Sequence, residues 1–232
     1  MNSVKALFFD VFGTLTDWRN GVARESEKVL SPLGYKLDWL AFADAWRGEY
    51  QVGMEEVRSG RLPFAKLDVV HRRNLDRILP RFGIKAEEGV LKDLNLVWHR
   101  LEAWPDVPPA MARLKRKFML APVSNGNISL MVAIARKNSF PWDAIFGGEF
   151  AHDYKPKPRV YLAACEALDL EPSACMMVAA HSYDLQAAAA LGLKTAHIAR
   201  PQEAPGKGEA GPSVPVDLAG QSLGDIADQL GA

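Results

Sequence analysis

Apolar and polar positions follow two different rhythms along the chain. Residues 4–9 form a short apolar run that predicts a buried strand, and Asp10 with the turn-forming Gly13 and Thr14 ends it. Between about residues 18 and 100, apolar residues recur at three- and four-residue steps, which predicts four or five helices and no strand. The clearest run comprises Leu67, Val70, His71, Asn74, Leu75, Ile78 and Leu79. Breaks between these helices are predicted near Gly34, at residues 60–63 and at Gly83.

Beyond Pro105, short apolar runs alternate with helical patterns. Strands are predicted at residues 118–123, 144–147, 175–179 and 195–199. Helices are predicted at residues 110–117, 128–138, 159–168, 185–191 and 223–230. Strands and helices that alternate at this spacing form parallel sheets through right-handed crossovers. The segment 201–215, rich in Pro, Gly and charged residues, is predicted to be an exposed loop.

These patterns together predict an α/β fold. Its core is expected to be a Rossmann-like parallel sheet with helices on both faces, and a helical cap is expected to be inserted after the first strand. The predicted boundaries are residues 1–17 and 100–232 for the core domain and 18–99 for the cap domain. Ligands of open α/β sheets bind at the carboxyl ends of the strands, so the cap is expected to cover that crevice.

Composition and charge narrow the class of function. The 232 residues include 28 Lys plus Arg and 28 Asp plus Glu, which gives no electrostatic reason to expect nucleic acid or an anionic membrane as a partner and favours a small-molecule ligand. Cys165 and Cys175 match neither a disulfide framework nor a zinc spacing. No apolar stretch is long enough for a membrane span, and the N-terminal run is too short for a signal peptide. A cytoplasmic protein is therefore expected.

Polar residues follow several of the predicted strands. They are Asp10, the Ser-Asn-Gly of residues 124–126, Lys155, and the His-Ser-Tyr-Asp of residues 181–184. Each alone has a plain structural interpretation as a turn residue, a solvated lysine or a helix cap. In a parallel sheet, however, these loops open on the same edge, so their order along the chain predicts one polar site.

The four motifs together resemble those of the haloacid dehalogenase superfamily. The first, Asp-x-x-Gly-Thr-Leu, stands at residues 10–15, and the Ser/Thr motif reads Val-Ser-Asn-Gly at residues 123–126. The lysine motif covers residues 154–161, and the acidic motif ends at Asp184. The resemblance covers essentially the whole chain, the helical insertion included, and implies the fold predicted above.

Most members of that superfamily are magnesium-dependent phosphatases, and two positions argue against that activity. A phosphatase of this type needs a second carboxylate two residues after the nucleophile to protonate the leaving alkoxide, and that position is Phe12. The acidic motif of the phosphatases places a further carboxylate on magnesium, and that position is Ala180. Halide departs without a proton and its loss needs no metal, so both absences favour cleavage of a carbon–halogen bond.

Two further features resemble the L-2-haloacid dehalogenases in particular. These are the Ser-Asn-Gly motif and a cap arginine that follows an aromatic residue, here Arg47 after Trp46. The resemblance implies that Arg47 and Asn125 hold the leaving halide. A helical arginine beside Glu49 is otherwise typical of a solvated surface, so this alternative stays open for Arg47.

The same resemblance implies a mechanism on the other site residues. Asp10 attacks C2 of a small 2-haloalkanoic acid and forms an aspartyl ester with inversion. Lys155 supplies positive charge, and Asp184 positions or activates the water that cleaves the ester. The substrate carboxylate is expected to bind to Ser124 and to backbone N–H groups after Asp10, at Val11 and Phe12. Hydrogen bonds from Thr14 and Tyr161 are expected to orient Asp10 and Lys155, respectively. Neither a metal nor another cofactor is implied.

The acidic motif departs from the pattern of these dehalogenases. It reads Ala-Ala-His-Ser at residues 179–182, so His181 is expected either to contact substrate or halide or only to hydrogen-bond within its loop. Four aromatic residues are candidates for pocket walls, with core packing as the alternative: Phe12, Trp46, Phe64 and Tyr183. Two other functions stay open, a magnesium-dependent phosphatase with an unusual metal site and a non-catalytic binding protein. Homodimerisation is a further possibility.

Overall fold

The computed structural model describes residues 4–206 and 208–232. Within them, six strands form one parallel sheet in the order β3-β2-β1-β4-β5-β6. The strands are β1 (Ala6–Phe9), β2 (Met119–Ser124), β3 (Phe146–Gly147), β4 (Cys175–Ala179), β5 (Lys194–Ile198) and β6 (Leu218–Gly220). The predicted Rossmann-like parallel sheet is thereby confirmed. Residues 1–3 of the predicted core domain and residue 207 of the predicted loop lie outside the described residues.

The central strand β1 shows that both faces of the sheet are covered. Its four residues are fully buried, and successive side chains point to opposite faces. Leu7 and Phe9 pack into the larger hydrophobic cluster, whereas Ala6 and Phe8 pack into the smaller one on the other face. A strand with this continuous apolar sequence is stable only between two layers, which confirms the prediction of helices on both faces.

The core helices follow the predicted alternation, with shifted ends. They are α6 (Val107–Leu114), α7 (Ile128–Asn138), α8 (Gly148–Ala151), α9 (Pro158–Ala167), α10 (Ser182–Ala189) and α11 (Leu223–Gln229). Helix α10 begins three residues before the predicted Leu185, because its first turn is polar and carries no apolar period. Strand β6 and helix α8 were not predicted, since elements of three and four residues give no periodicity.

The stretch from residue 18 to residue 99, all of which the structure describes, contains helices and no strand, as predicted. Its α-helices are α1 (Trp18–Leu30), α2 (Trp39–Gly48), α3 (Tyr50–Arg58), α4 (Leu67–Ile78) and α5 (Glu88–Asn95). The predicted breaks at Gly34, residues 60–63 and Gly83 lie between these helices. Treating this stretch as a cap domain separate from the core stays a prediction. Among the described residues, no helix has the length and apolarity to cross a membrane.

Hydrogen bonds tie the helical insertion to the loops at the carboxyl ends of the strands. Arg58 of α3 donates to the carbonyl of Lys155 at 2.9 Å. Tyr154 donates its hydroxyl to the carbonyl of Ala65 at 2.6 Å, ahead of α4. Asn127, which precedes α7, donates to the carboxylate of Asp68 at 2.8 Å. The insertion is therefore held over the edge of the sheet where the predicted site residues emerge.

Substitution of Gly147 tests how tightly the chain packs at the carboxyl ends of β2 and β3. Its φ is 115°, and a Cβ there would lie 2.0 Å from the carbonyl oxygen of Ser124. Gly147→Ala should therefore lower the free energy of unfolding by about 2 kcal/mol or more, measured by urea denaturation. Gly89→Ala is the control, because Gly89 lies in α5 with open space around it and should gain about 0.5–1 kcal/mol. Equal effects of the two substitutions would contradict this account.

Candidate active site

Asp10 lies at the carboxyl end of the central strand. Its backbone N–H donates to the carbonyl of Val178 in β4 at 3.0 Å, which continues the ladder one residue past β1 and fixes the direction of the side chain. Thr14 donates its hydroxyl to Oδ2 of Asp10 at 2.8 Å and itself accepts from the N–H of Ala180 at 2.9 Å. The carboxylate is buried, and it is held from the first loop and from the loop after β4.

Lys155 bridges two carboxylates below the helical insertion. Its Nζ donates to Oδ1 of Asp10 at 2.9 Å and also to Oδ2 of Asp184. Its side chain is 4% exposed, so it is not the solvated loop lysine of the plain interpretation. The backbone N–H of Lys155 donates to Oδ1 of Asn125 at 2.8 Å, which fixes the loop that carries it.

Tyr161 of α9 does not contact the group predicted for it. Its hydroxyl was expected to orient Lys155, but it donates to Oδ1 of Asp184 at 2.5 Å. Helix α9 lies beside the first turn of α10, so the tyrosine meets the Asp184 carboxylate and acts on Lys155 only through it. The prediction of a direct hydrogen bond to Lys155 was wrong.

The charges of Asp10, Lys155 and Asp184 determine one another's protonation states. Burial alone would raise the pKa of Asp10, but the Lys155 ammonium and then the His181 imidazolium lower it well below its usual range. Burial alone would lower the pKa of Lys155, but the Asp10 and Asp184 carboxylates raise it far above its usual range. Burial raises the pKa of Asp184, and Lys155 opposes that rise. Asp10 is therefore ionised at neutral pH, as a carboxylate nucleophile must be.

Ser124 and Asn125 follow β2 and close the site on its other side. Ser124 is fully buried, and its Oγ accepts from the N–H of Gly126 at 3.1 Å. Asn125 directs its Nδ2 toward the helical insertion, 3.3 Å from the Tyr50 hydroxyl and 3.3 Å from Sδ of Met54. The side-chain amide therefore joins the loop after β2 to α3.

Arg47 of α2 points inward and not into solvent. Its guanidinium lies 3.9 Å from the centre of the Tyr50 ring, 5.3 Å from Trp18 and 6.0 Å from Phe12. Its Nη1 is buried without a hydrogen-bond partner among the described residues. A half-buried cation with a free donor among aromatic faces is poised for an anion.

A cavity of about 400 Å³ separates the helical insertion from the loops of the sheet. Its lining includes Arg47 and Tyr50 on one side and His181, Tyr183 and Glu203 on the other. Asp10 is reached from this cavity through His181, which lines it and contacts the Asp10 carboxylate.

The predicted pocket aromatics divide between this cavity and the core. Tyr183 lines the cavity, and Phe12 is buried near Arg47. Trp46 is a core residue whose Nε1 donates to the carbonyl of His71 at 2.9 Å, and Phe64 packs against Tyr154. Core packing, the alternative stated for these aromatics, therefore describes Trp46 and Phe64. The side chain of Val11 is also buried, which leaves only its backbone for substrate.

His181 is clamped between two carboxylates. Its Nδ1 lies 3.2 Å from Oδ2 of Asp10, and its Nε2 lies 2.8 Å from Oε2 of Glu203. Burial alone would lower the pKa of His181, but its hydrogen bonds to these two carboxylates raise it to about 10. The imidazole is therefore charged at neutral pH.

Glu203 is the site residue that the sequence did not reveal. It belongs to residues 201–215, predicted as an exposed loop, yet it is 7% exposed and also accepts from Nε1 of Trp18 at 2.9 Å. Glu209 anchors the same loop by accepting from the N–H of Ser182 at 2.9 Å and from its hydroxyl. A glutamate in a Pro- and Gly-rich segment has no local signature, so only the fold brings Glu203 to His181.

Known proteins share this fold. The model of the haloacid dehalogenase-like hydrolase family matches residues 4–192. The crystal structure of a defluorinating L-2-haloacid dehalogenase is 40% identical, with a TM-score of 0.95 over 99% of this chain and 96% of that one. A second L-2-haloacid dehalogenase is 42% identical, with a TM-score of 0.94 over 98% of this chain and 99% of its own.

Among characterised sequences, (S)-2-haloacid dehalogenase 1 of Pseudomonas sp. strain CBS-3 is 29% identical over 209 residues, which cover 88% of this chain and 89% of that protein. The match extends through both the sheet and the helical insertion. The chain belongs to the haloacid dehalogenase-like hydrolase family and, within it, to the L-2-haloacid dehalogenases.

Proposed function

We propose that the protein hydrolyses small 2-haloalkanoic acids to 2-hydroxy acids through a covalent ester on Asp10. The observation that carries this proposal is the ionised Asp10 carboxylate, held by Lys155 and Thr14 and contacted by His181, which lines a cavity together with Arg47. A carboxylate nucleophile facing a cationic anion-binding group suits displacement of a stable anion. The (S)-2-haloacid and L-2-haloacid dehalogenases that this chain resembles support the same substrate class.

The first step is an in-line displacement at C2. An oxygen of Asp10 forms a bond to C2, the carbon–halogen bond breaks on the opposite side, and C2 is inverted. The halide leaves toward Arg47 and Asn125, whose N–H groups stabilise the charge that develops on it. Ser124 and the backbone N–H groups of Val11 and Phe12 bind the substrate carboxylate. In the second step, water cleaves the ester at the carbonyl carbon of Asp10.

The residues of the site fit a phosphatase poorly. Phe12 is 2% exposed and cannot protonate an alkoxide. Ala180 contributes a backbone N–H to Thr14 where a magnesium-binding carboxylate is needed. Lys155 donates to both Asp10 and Asp184, so one oxygen of each of these two carboxylates is already engaged by an ammonium. Metal-independent dehalogenation is therefore part of the proposal. Cytoplasmic location and homodimerisation stay predictions.

The first test is halide release from 2-chloropropionate and fluoroacetate, with a chelator present throughout. The parent enzyme should release halide at the same rate with and without chelator. Asp10→Asn should lower kcat by about three orders of magnitude or more, because the neutral amide is a poor nucleophile. Circular dichroism checks that this variant is folded. Activity of Asp10→Asn within tenfold of the parent, or release of phosphate from an aryl phosphate only with magnesium, would contradict the proposal.

A second test addresses the halide-binding role of Arg47. Arg47→Gln should lower kcat/KM for 2-chloropropionate by about 100-fold, because it removes a cation that stabilises charge formed in the transition state. The loss should grow from bromide to chloride to fluoride, since poorer leaving groups need more stabilisation. Arg72→Gln is the matched control, because Arg72 pairs with Asp76 and Glu88 on α4 and α5. A loss that is the same for all three halides would contradict the assignment.

A further inference from the structure

His181 contacts the proposed nucleophile, and this contact limits the roles that it can have in the reaction. Its Nδ1 is 3.2 Å from Oδ2 of Asp10, the carboxylate that attacks C2. In an in-line displacement the halide leaves on the side of C2 opposite the attacking oxygen. A group that hydrogen-bonds the nucleophile lies on the attacking side of C2, which favours a role for His181 at Asp10 over the halide contact that was one of its expected roles.

Asp184, the residue first expected to position or activate water, already accepts a hydrogen bond on each of its oxygens. Its Oδ2 accepts from the Lys155 ammonium, and its Oδ1 accepts from the Tyr161 hydroxyl at 2.5 Å. The side chain is 1% exposed. Two donors lower the basicity of this carboxylate, and its burial leaves little room for water at the lone pairs that remain.

His181 has both the access and the orientation that Asp184 lacks. It lines the cavity beside Asp10, and its side chain is 13% exposed. Nε2 lies 2.8 Å from Oε2 of Glu203, which keeps a proton on that nitrogen and leaves Nδ1 as the basic atom facing Asp10. A carboxylate that fixes one imidazole nitrogen while the other takes a proton is the arrangement of hydrolytic Asp–His pairs.

Glu203 is in turn held from three sides. Trp18 donates its Nε1 to Oε1 at 2.9 Å, His181 contacts Oε2, and a Cβ on Gly13 would lie 2.1 Å from Oε1. The carboxylate thus fits against the bare backbone of the first motif. Its position is fixed well enough to orient His181.

We propose that His181 is the general base that activates water for hydrolysis of the Asp10 ester, and that Glu203 is its positioning residue. This inference rests on the proposed function, because it concerns the second step of the same reaction.

Protons and charges balance along this route. When C2 bonds to Asp10, the halide departs with the bonding electrons and Asp10 loses its charge. His181 then releases its Nδ1 proton to solvent through the cavity. Water adds to the carbonyl carbon of Asp10 and gives a proton to Nδ1, and the ester C–O bond breaks as that proton passes to the leaving alkoxide. The regenerated Asp10 carboxyl returns its proton to Nδ1. The sum is one haloacid and one water converted to one hydroxy acid, one halide and one proton.

The charges around His181 make it a base only in the ester. In the resting protein the pKa of His181 is about 10, because the hydrogen bonds to Asp10 and Glu203 outweigh burial. Esterification removes the charge on Asp10, so the pKa falls and Nδ1 is free to accept a proton. The other titratable groups near the ring are Arg47 and Tyr183 in the cavity wall, Lys155 and Asp184 beyond Asp10, and His197 and Glu209 behind the loop.

Rapid-quench kinetics with 2-chloropropionate separates the two steps. His181→Asn keeps an N–H donor for Asp10 but no group that takes a proton at neutral pH. It should release about one chloride per active site at a rate within about tenfold of the parent. Hydrolysis of the ester should then fall by about 10²–10⁴-fold, so that the covalent adduct accumulates in intact-mass spectra. The halide burst itself shows that the variant is folded.

A second variant tests the same role by chemical rescue. In His181→Ala, added imidazole should restore hydrolysis of the ester.

The pH profile of ester hydrolysis tests the role of Glu203. In the parent, hydrolysis should slow as pH falls, because protonated His181 is not a base. Glu203→Gln removes the anion that raises the pKa of His181, so the midpoint should move to lower pH by about one unit. Glu209→Gln is the matched control: it loosens the same loop at Ser182 and His197 without touching His181, and should leave the midpoint in place.

Three outcomes would overturn the inference. A parent enzyme that releases no halide would refute the proposed function and this inference with it. A parent that turns over normally while His181→Asn hydrolyses the ester at the parental rate would refute the inference alone. Loss of the halide burst in His181→Asn, with a circular dichroism spectrum that matches the parent, would place His181 in the first step and not the second.

Discussion

The buried, ionised carboxylate of Asp10 is the constraint on which the rest of the site depends. A carboxylate taken out of water keeps its charge only if cations and donors replace the lost hydration. Lys155, His181 and Thr14 supply these contacts, and they come from three different loops. Removing any one of these three contacts leaves the negative charge of Asp10 less well compensated. The loops must therefore be held in a fixed arrangement, which is consistent with the hydrogen bonds that Thr14 and Lys155 make to neighbouring loops.

Pairs of opposite charges continue from Asp10 to the wall of the cavity. Lys155 lies between Asp10 and Asp184, and His181 lies between Asp10 and Glu203. Arg47 faces the cavity from α2 with a donor that has no partner among the described residues. An anionic substrate therefore approaches a nucleophile whose own charge is already matched. In the proposed mechanism, transfer of that charge to the departing halide lowers the pKa of His181 between the two steps.

Sequence periodicity predicted the sheet and the helical insertion because both contain long, regular apolar patterns. It missed β6 and α8, which are too short to show a period. The site residues that follow strands could be predicted because parallel strands bring their carboxyl ends to one edge. Tyr161 was assigned to Lys155 instead of Asp184 because which of two neighbouring groups a hydroxyl reaches depends on helix packing. Glu203 could not be predicted, since nothing in the sequence of its loop distinguishes a buried glutamate from a solvated one.

The measurement that tests the central claim most directly is a single turnover in ¹⁸O-water, with enzyme in excess over 2-chloropropionate. If Asp10 forms an ester that water cleaves at its carbonyl carbon, the hydroxyl oxygen of the product comes from Asp10. The label should then be found in the peptide that contains Asp10, and the 2-hydroxy acid should carry none. Label in the product with none in Asp10 would mean that water attacks C2 directly, and the account of Asp10 as nucleophile would be wrong.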